Sequence, residues 1–252
     1  MKKYIKSALL LVSFTGFSQT FEGIIKYKIT ASGEKIEKAQ KEMSNPENQA
    51  KMKQFEAQMK DPNFQKLLES NPQLKEQMEN MMKANASGGN MMDAMMPKGS
   101  TVYIKGNTSL VKTEGGMEQE ILSFNDKNES YKIMRKNKSY KKMDSKADSA
   151  QSLVAKKTTE TATILNYKCT KYVVTDTKMN MELWCTTDIN GIDYKKFKYK
   201  NEHGGIRGIE GVPLKVHVKN KDIDMVNEVT EIKQTKVDAS LLEIPSDFKE
   251  IK

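Results

Sequence analysis

The side chains in this sequence that could do chemistry are few. Its two cysteines, Cys169 and Cys185, stand on either side of Trp184 in "NYKCTKYVVTDTKMNMELWCTT". Its two histidines are His203, in the turn-like "NEHGGIRG", and His217, in the alternating "LKVHVKN". Neither belongs to a His-Glu-x-x-His metal motif, and no Gly-x-Ser-x-Gly elbow is present. "GGIRGIEG" lacks the Lys-Ser/Thr of a phosphate loop and reads as a hairpin loop. "DINGID" has too few carboxylates for a calcium loop and reads as a turn. The expectation is a protein that is not an enzyme and needs no cofactor.

The cysteines fit a structural role better than a redox or metal one, because Cys-x-x-Cys spacing is missing. If the two runs form a hairpin turning at Asp176-Thr177-Lys178, facing residues sum to 354. Cys169 then lies opposite Cys185. Directly opposed side chains are close enough to bridge, and the expectation is a Cys169–Cys185 disulfide. The methionines raise a second question. Met78, Met81, Met82, Met91, Met92, Met95 and Met96 crowd into "MENMMKANASGGNMMDAMMP". Their helical spacing fits ordinary packing, an adaptable apolar groove, or soft-ligand capture of Cu(I).

The elements that must position these groups fall into three textures. "MKKYIKSALLLVSFTGFSQ" combines a basic start, a short apolar run and small residues at Gly16 and Ser18. It reads as a signal peptide over residues 1–18, with the mature chain starting near Gln19. No cysteine marks a lipid anchor, and no apolar run suits a membrane span. The expected location is the periplasm or the exterior, an oxidising setting that permits a disulfide. Losing Lys2, Lys3 and Lys6 lowers the net charge of +9 by three. The remaining positive charge is almost all lysine, with only Arg135 and Arg207 as arginine forks. This argues against nucleic acid as a partner and leaves weak contact with an anionic envelope surface open.

Residues 19–252 read as one domain interrupted by a helical insertion over 34–98. Asn45-Pro46, Asp61-Pro62 and Asn71-Pro72 each place an N-cap before a first-turn proline. The apolar stripes that follow are Met52/Phe55/Met59, then Phe64/Leu67/Leu68, then Leu74/Met78/Met81/Met82. Elsewhere the chain alternates as strands. They fall at 20–31, 101–105, 107–113, 117–124, 129–135, 138–143, 161–175, 180–187, 194–200, 212–219 and 223–235. Tight turns between them predict an antiparallel meander. Residues 144–158 read as a polar helix or loop, and "VDASLLEIPSDFKEIK" as a capped turn with a tail returning to the sheet.

"FEGIIKYKIT", "TILNYKCTKYVV" with "ELWCTTDI", "GIEGVPLKVHV" and "VTEIKQTKVDASLLEIPSDFKEI" together resemble a family of exported bacterial proteins common in Bacteroidetes. That family looks related to the LolA/LolB-like lipoprotein carriers. The resemblance covers residues 20–31 and 100–252 and carries no catalytic residues. It implies an α+β fold, a curved antiparallel half-barrel with helices across its concave face. It also implies a carrier for an apolar ligand: a lipid, an acyl chain or a lipidated protein or peptide. "DPNFQKLLESNPQLKEQMENMM" is similar to STI1-type helical repeats, which hold an apolar helix and would make a chaperone-like interaction module. Phe64, Leu67, Leu68, Met78, Met81 and Met82 are the candidate ligand contacts on either view. The oligomeric state is left open.

Overall fold

The computed structural model describes residues 20–43, 45–70, 75, 78, 82, 96–115, 118–143, 153–175, 180–192, 200–201 and 204–251. One strand organises it. β1 (Glu22–Ser32) pairs with β2 (Gly99–Lys105) on one side and with β13 (Asp224–Gln234) on the other, both antiparallel. From β2 the chain runs outward as a meander through β3 (Thr108–Glu114), β4 (Glu120–Phe124), β5 (Glu129–Met134) and β6 (Ser139–Lys142). Beyond β13 lie β12 (Val212–Lys219), β9 (Asn180–Thr186), β8 (Tyr167–Thr175) and β7 (Lys156–Ile164). β14 (Lys249–Glu250) closes the β6 edge in parallel and completes a twelve-stranded sheet. β10 (Lys200–Asn201) and β11 (Gly204–Gly205) form a separate small hairpin. The protein is thus mostly β, with a large open, curved sheet.

Between β1 and β2 come three helices, α1 (Glu34–Met43), α2 (Pro46–Met59) and α3 (Pro62–Ser70). The expected punctuation sets two of their starts. Asn45 accepts from the Glu47 N–H and Asp61 from those of Asn63 and Phe64, in each case just ahead of a proline that has no N–H to satisfy. Gly33 makes the turn out of β1 at φ +127°, where a Cβ would strike the Asp222 carbonyl. The third expected cap, Asn71-Pro72, lies outside the described residues.

Register decides which side chains meet. One row on the Ile24 face runs Ile24, Tyr103, Leu110, Leu122, Tyr131 across β1 to β5. The tail seals that face with Val237, Leu241, Leu242, Ile244 and Phe248. Beyond β13 the apolar row switches to the Ile25 face: Ile29, Asn227, Val216, Leu183, Tyr172 across β1, β13, β12, β9 and β8. Segments around Leu153–Ala155 and Ile206–Ile209 cover Tyr172, Leu183 and Val216. Near the sheet's middle, Phe21, Ile25, Val102, Val229, Ile189 and Cys169 form a further cluster.

Two expectations need correction. Residues 161–175 are not one strand. Leu165 and Asn166 take φ +47° and +67° and turn the chain from β7 into β8. The β8–β9 register sums to 355 rather than 354, because the connection is the four residues 176–179. Cys185 therefore faces Thr170, and Cys169 lies one residue further on and in a different buried cluster, with Ile25 and Val229 rather than with Leu183 and Val216. Both cysteines are free and buried. The expected strand at 194–200 falls largely outside the described residues, and the polar stretch 144–158 ends in the first residues of β7.

Candidate functional site

The candidate ligand contacts read from sequence belong to the helical insertion. α1 packs on β1, α2 on α1 and α3 on α2. Ile36, Met59 and Leu68 are buried. The stripe read from sequence divides at α3: Leu68 is 1% exposed, but its neighbour Leu67 is 54% exposed. Phe64 meets Phe55 edge-to-face at 6.2 Å, tying α3 to α2, and the Gln65 amide donates to the Met59 carbonyl. Met78 and Met82 are helical and partly buried. Met81 lies outside the described residues, as do Met91, Met92 and Met95. The structure thus brings Phe64 and Leu68 into the helical packing and leaves Leu67 facing water.

One polar atom on the apolar Ile25 face lacks a partner. Asn227 stands between Ile29 and Val216, and its Oδ1 is buried with no hydrogen-bond partner among the described residues. A buried acceptor left unpaired costs about 1–3 kcal/mol. Nothing in the sequence marked Asn227, because it sits in a run, "DMVNEVTEIKQ", whose alternation reads as an ordinary strand.

On the other face of the same strands the row is charged: Lys28, Glu228, Lys215, Trp184, Lys171. Lys215 pairs with Glu228 at 2.8 Å and Lys26 with Glu231 at 2.7 Å. The Lys171 ammonium lies over the Trp184 ring and 3.0 Å from Glu182. His217 Nε2 contacts Asp224 at 2.8 Å, and Lys219 reaches the other carboxylate oxygen. That hydrogen bond to His217, helped by Lys219, holds the Asp224 carboxyl below its usual range. These pairs form a charged ladder along that face. His203 lies outside the described residues.

Burial pushes the Cys169 thiol up to about 11 and the Cys185 thiol up to about 12, so neither is an active thiolate. Among the described residues no group of His, Cys, Asp and Glu is arranged to hold a metal ion. No helix among them is long and apolar enough to cross a membrane.

No curated protein matches the chain. Among solved structures it is similar to two crystal forms of PNGF-II, at 20% and 18% identity and TM-score 0.42 in both. Each match covers 61% of this chain, which spans only 28% of PNGF-II. It is also similar to LprF from Mycobacterium bovis, at 10% identity and TM-score 0.26, over 62% of this chain and 84% of that one. The model of a family described as a domain of unknown function, DUF4412, matches residues 66–248, which take in every strand from β2 to β13. The chain belongs to the DUF4412 family.

Proposed function

We propose that the protein is a non-enzymatic, exported binding protein for an apolar ligand, held on the Ile25 face with α1–α3 as a displaceable cover. The ligand class is a lipid, an acyl chain or a lipidated peptide. The observation that carries this reading is Asn227. An acceptor inside an apolar row with no partner among the described residues is the kind of group that orients a mostly apolar ligand through a single donor. The helices support it. They join the sheet through the Gly33 turn, and α1 packs on the strand that carries Ile29. The sequence resemblance to lipoprotein carriers points to the same ligand class, and export to the periplasm or exterior rests on residues 1–18.

Native mass spectrometry of protein purified from its own compartment, followed by organic extraction, tests the reading. A reproducible adduct of lipid size is expected. Deleting residues 36–97 should change binding of an apolar fluorescent probe, and Asn227→Leu should weaken ligands with a donor head group more than plain hydrocarbons. A bare mass together with unchanged probe binding after the deletion would sink it.

A further inference from the structure

The two edges of the sheet are finished differently. At the β6 edge, the Lys249 N–H donates to the Lys138 carbonyl and the Ile251 N–H to that of Tyr140, so the tail occupies the open groups. At the other end stands β7, nine residues long, and among the described residues no strand pairs with its outer side. Bare edge strands template pairing with other chains.

β7 is not regular, however. Lys157 pairs with Tyr172 and Thr161 with Thr170, so the three residues 158–160 stand opposite the single Lys171. A clasp holds this bulge. Thr158 Oγ1 donates to the Lys171 carbonyl at 3.1 Å and accepts from the Glu160 N–H at 3.2 Å. The Glu160 carboxylate reaches the Lys171 ammonium at 3.3 Å, and that side chain, only 14% exposed, is itself fixed by Glu182 and Trp184. A bulge bends an edge and takes its N–H and C=O groups out of line.

We infer that the Thr158–Glu160–Lys171 clasp guards β7, and that without it β7 pairs with the β7 of a second copy of this chain. The occupant follows from charge. In a two-fold antiparallel pairing of "KKTTETATI" centred on Thr158, which faces its own copy, Lys156 of each copy faces Glu160 of the other and Lys157 faces Thr159. Lys156 and Glu160 are both exposed at this edge, so each can meet its counterpart once Glu160 is released from Lys171. The guarded chain does not associate through this edge.

The test is sedimentation equilibrium of the full chain and of Thr158→Val/Lys171→Met, which removes the hydroxyl and the ammonium and leaves Glu160 in place. The variant is expected to double its mass with rising concentration and to slow amide exchange over 156–164. Adding Glu160→Lys, which sets lysine against Lys156, should return it to a monomer. Should the double variant be poorly folded, Thr158→Val with Lys171→Gln repeats the test. A folded variant that stays monomeric at every concentration overturns the inference, as does a dimer whose β7 amides exchange as fast as the monomer's.

Discussion

The β2–β6 half of the sheet and the β7–β12 half bury opposite faces. In the first half Leu110 and Leu122 point to the Ile24 face and are sealed by the tail. In the second, Leu183 and Val216 point to the Ile25 face, and the Ile24 side of the same strands is an ion-pair ladder. β1 sits at the crossover, with Ile24 in one apolar cluster and Ile25 in another. A single layer therefore gains two cores on two sides, as a curled sheet must when short segments rather than a second layer cover it. Carrier chemistry, on the reading proposed above, belongs to the Ile25 side, where the segments around Leu153–Ala155 and Ile206–Ile209 supply the cover rather than a strand-locked tail.

The strongest way to break this comparison is to hollow each core in turn. Leu110→Ala and Leu183→Ala each remove a fully buried side chain, and each should cost about 2–5 kcal/mol in urea unfolding. Their neighbours on the ladder should behave otherwise. Lys215→Ala, in an exposed pair with Glu228, should cost under about 1 kcal/mol. If Lys215→Ala matched Leu183→Ala, the assignment of faces in that half would be wrong.

The cysteines sharpen the same point, because they sit one residue out of register and in separate buried clusters. At pH 8 both thiols should react with an alkylating agent at least about a hundred-fold more slowly in the folded chain than in denaturant, since burial raises their pKa to about 11 and about 12. Two thiols per chain should then be titrated in denaturant without reduction. Finding none before reduction would restore the disulfide and the 354 register.

The β7–β8 hairpin comes next in size. Leu165, 40% exposed, occupies a left-handed position that costs a branched side chain about 1–2 kcal/mol. Replacing Leu165-Asn166 with Asn-Gly, the pair such two-residue turns prefer, should raise stability by about 1 kcal/mol. A loss of stability would mean that Leu165 packs more than its exposure implies.

That hairpin also shows what the sequence could disclose. The β2–β6 meander was readable because Lys105-Gly106-Asn107 and Asn125–Asn128 punctuate it with residues that tolerate φ > 0. The helix starts at Pro46 and Pro62 were readable from their caps. "TILNYK" hid its turn because leucine is not a turn residue, so β7 and β8 merged into one strand. The cysteine register slipped by one because alternation fixes faces within a strand, while pairing depends on the length of the connection. Asn227 was invisible for a related reason: a lone polar residue in a half-buried strand looks like its exposed neighbours until the cross-strand partners are known. Half of the proposed contact stripe had the same weakness, since helical spacing marks Leu67 and Leu68 alike and only packing separates them.

The smallest expected effect is electrostatic and distinguishes the ladder from the cores by its pH dependence. The hydrogen bond from His217, then Lys219, holds Asp224 below its ordinary 3.8, and the Lys26 hydrogen bond holds Glu231 below 4.5. A carboxylate whose folded pKa is depressed adds stability that is fully present above its unfolded pKa. That stability is lost as pH falls from there through the lower folded value. Asp224→Asn removes this contribution. Its stability should lie below that of the unaltered chain above about pH 4, and the two curves should converge as pH drops further. The Leu183→Ala curve should instead run parallel to the unaltered one at every pH, because a cavity does not titrate. A constant offset for Asp224→Asn would show that its side chain acts by packing, and the charged row on the Ile24 face would then belong with the cores rather than with the solvent.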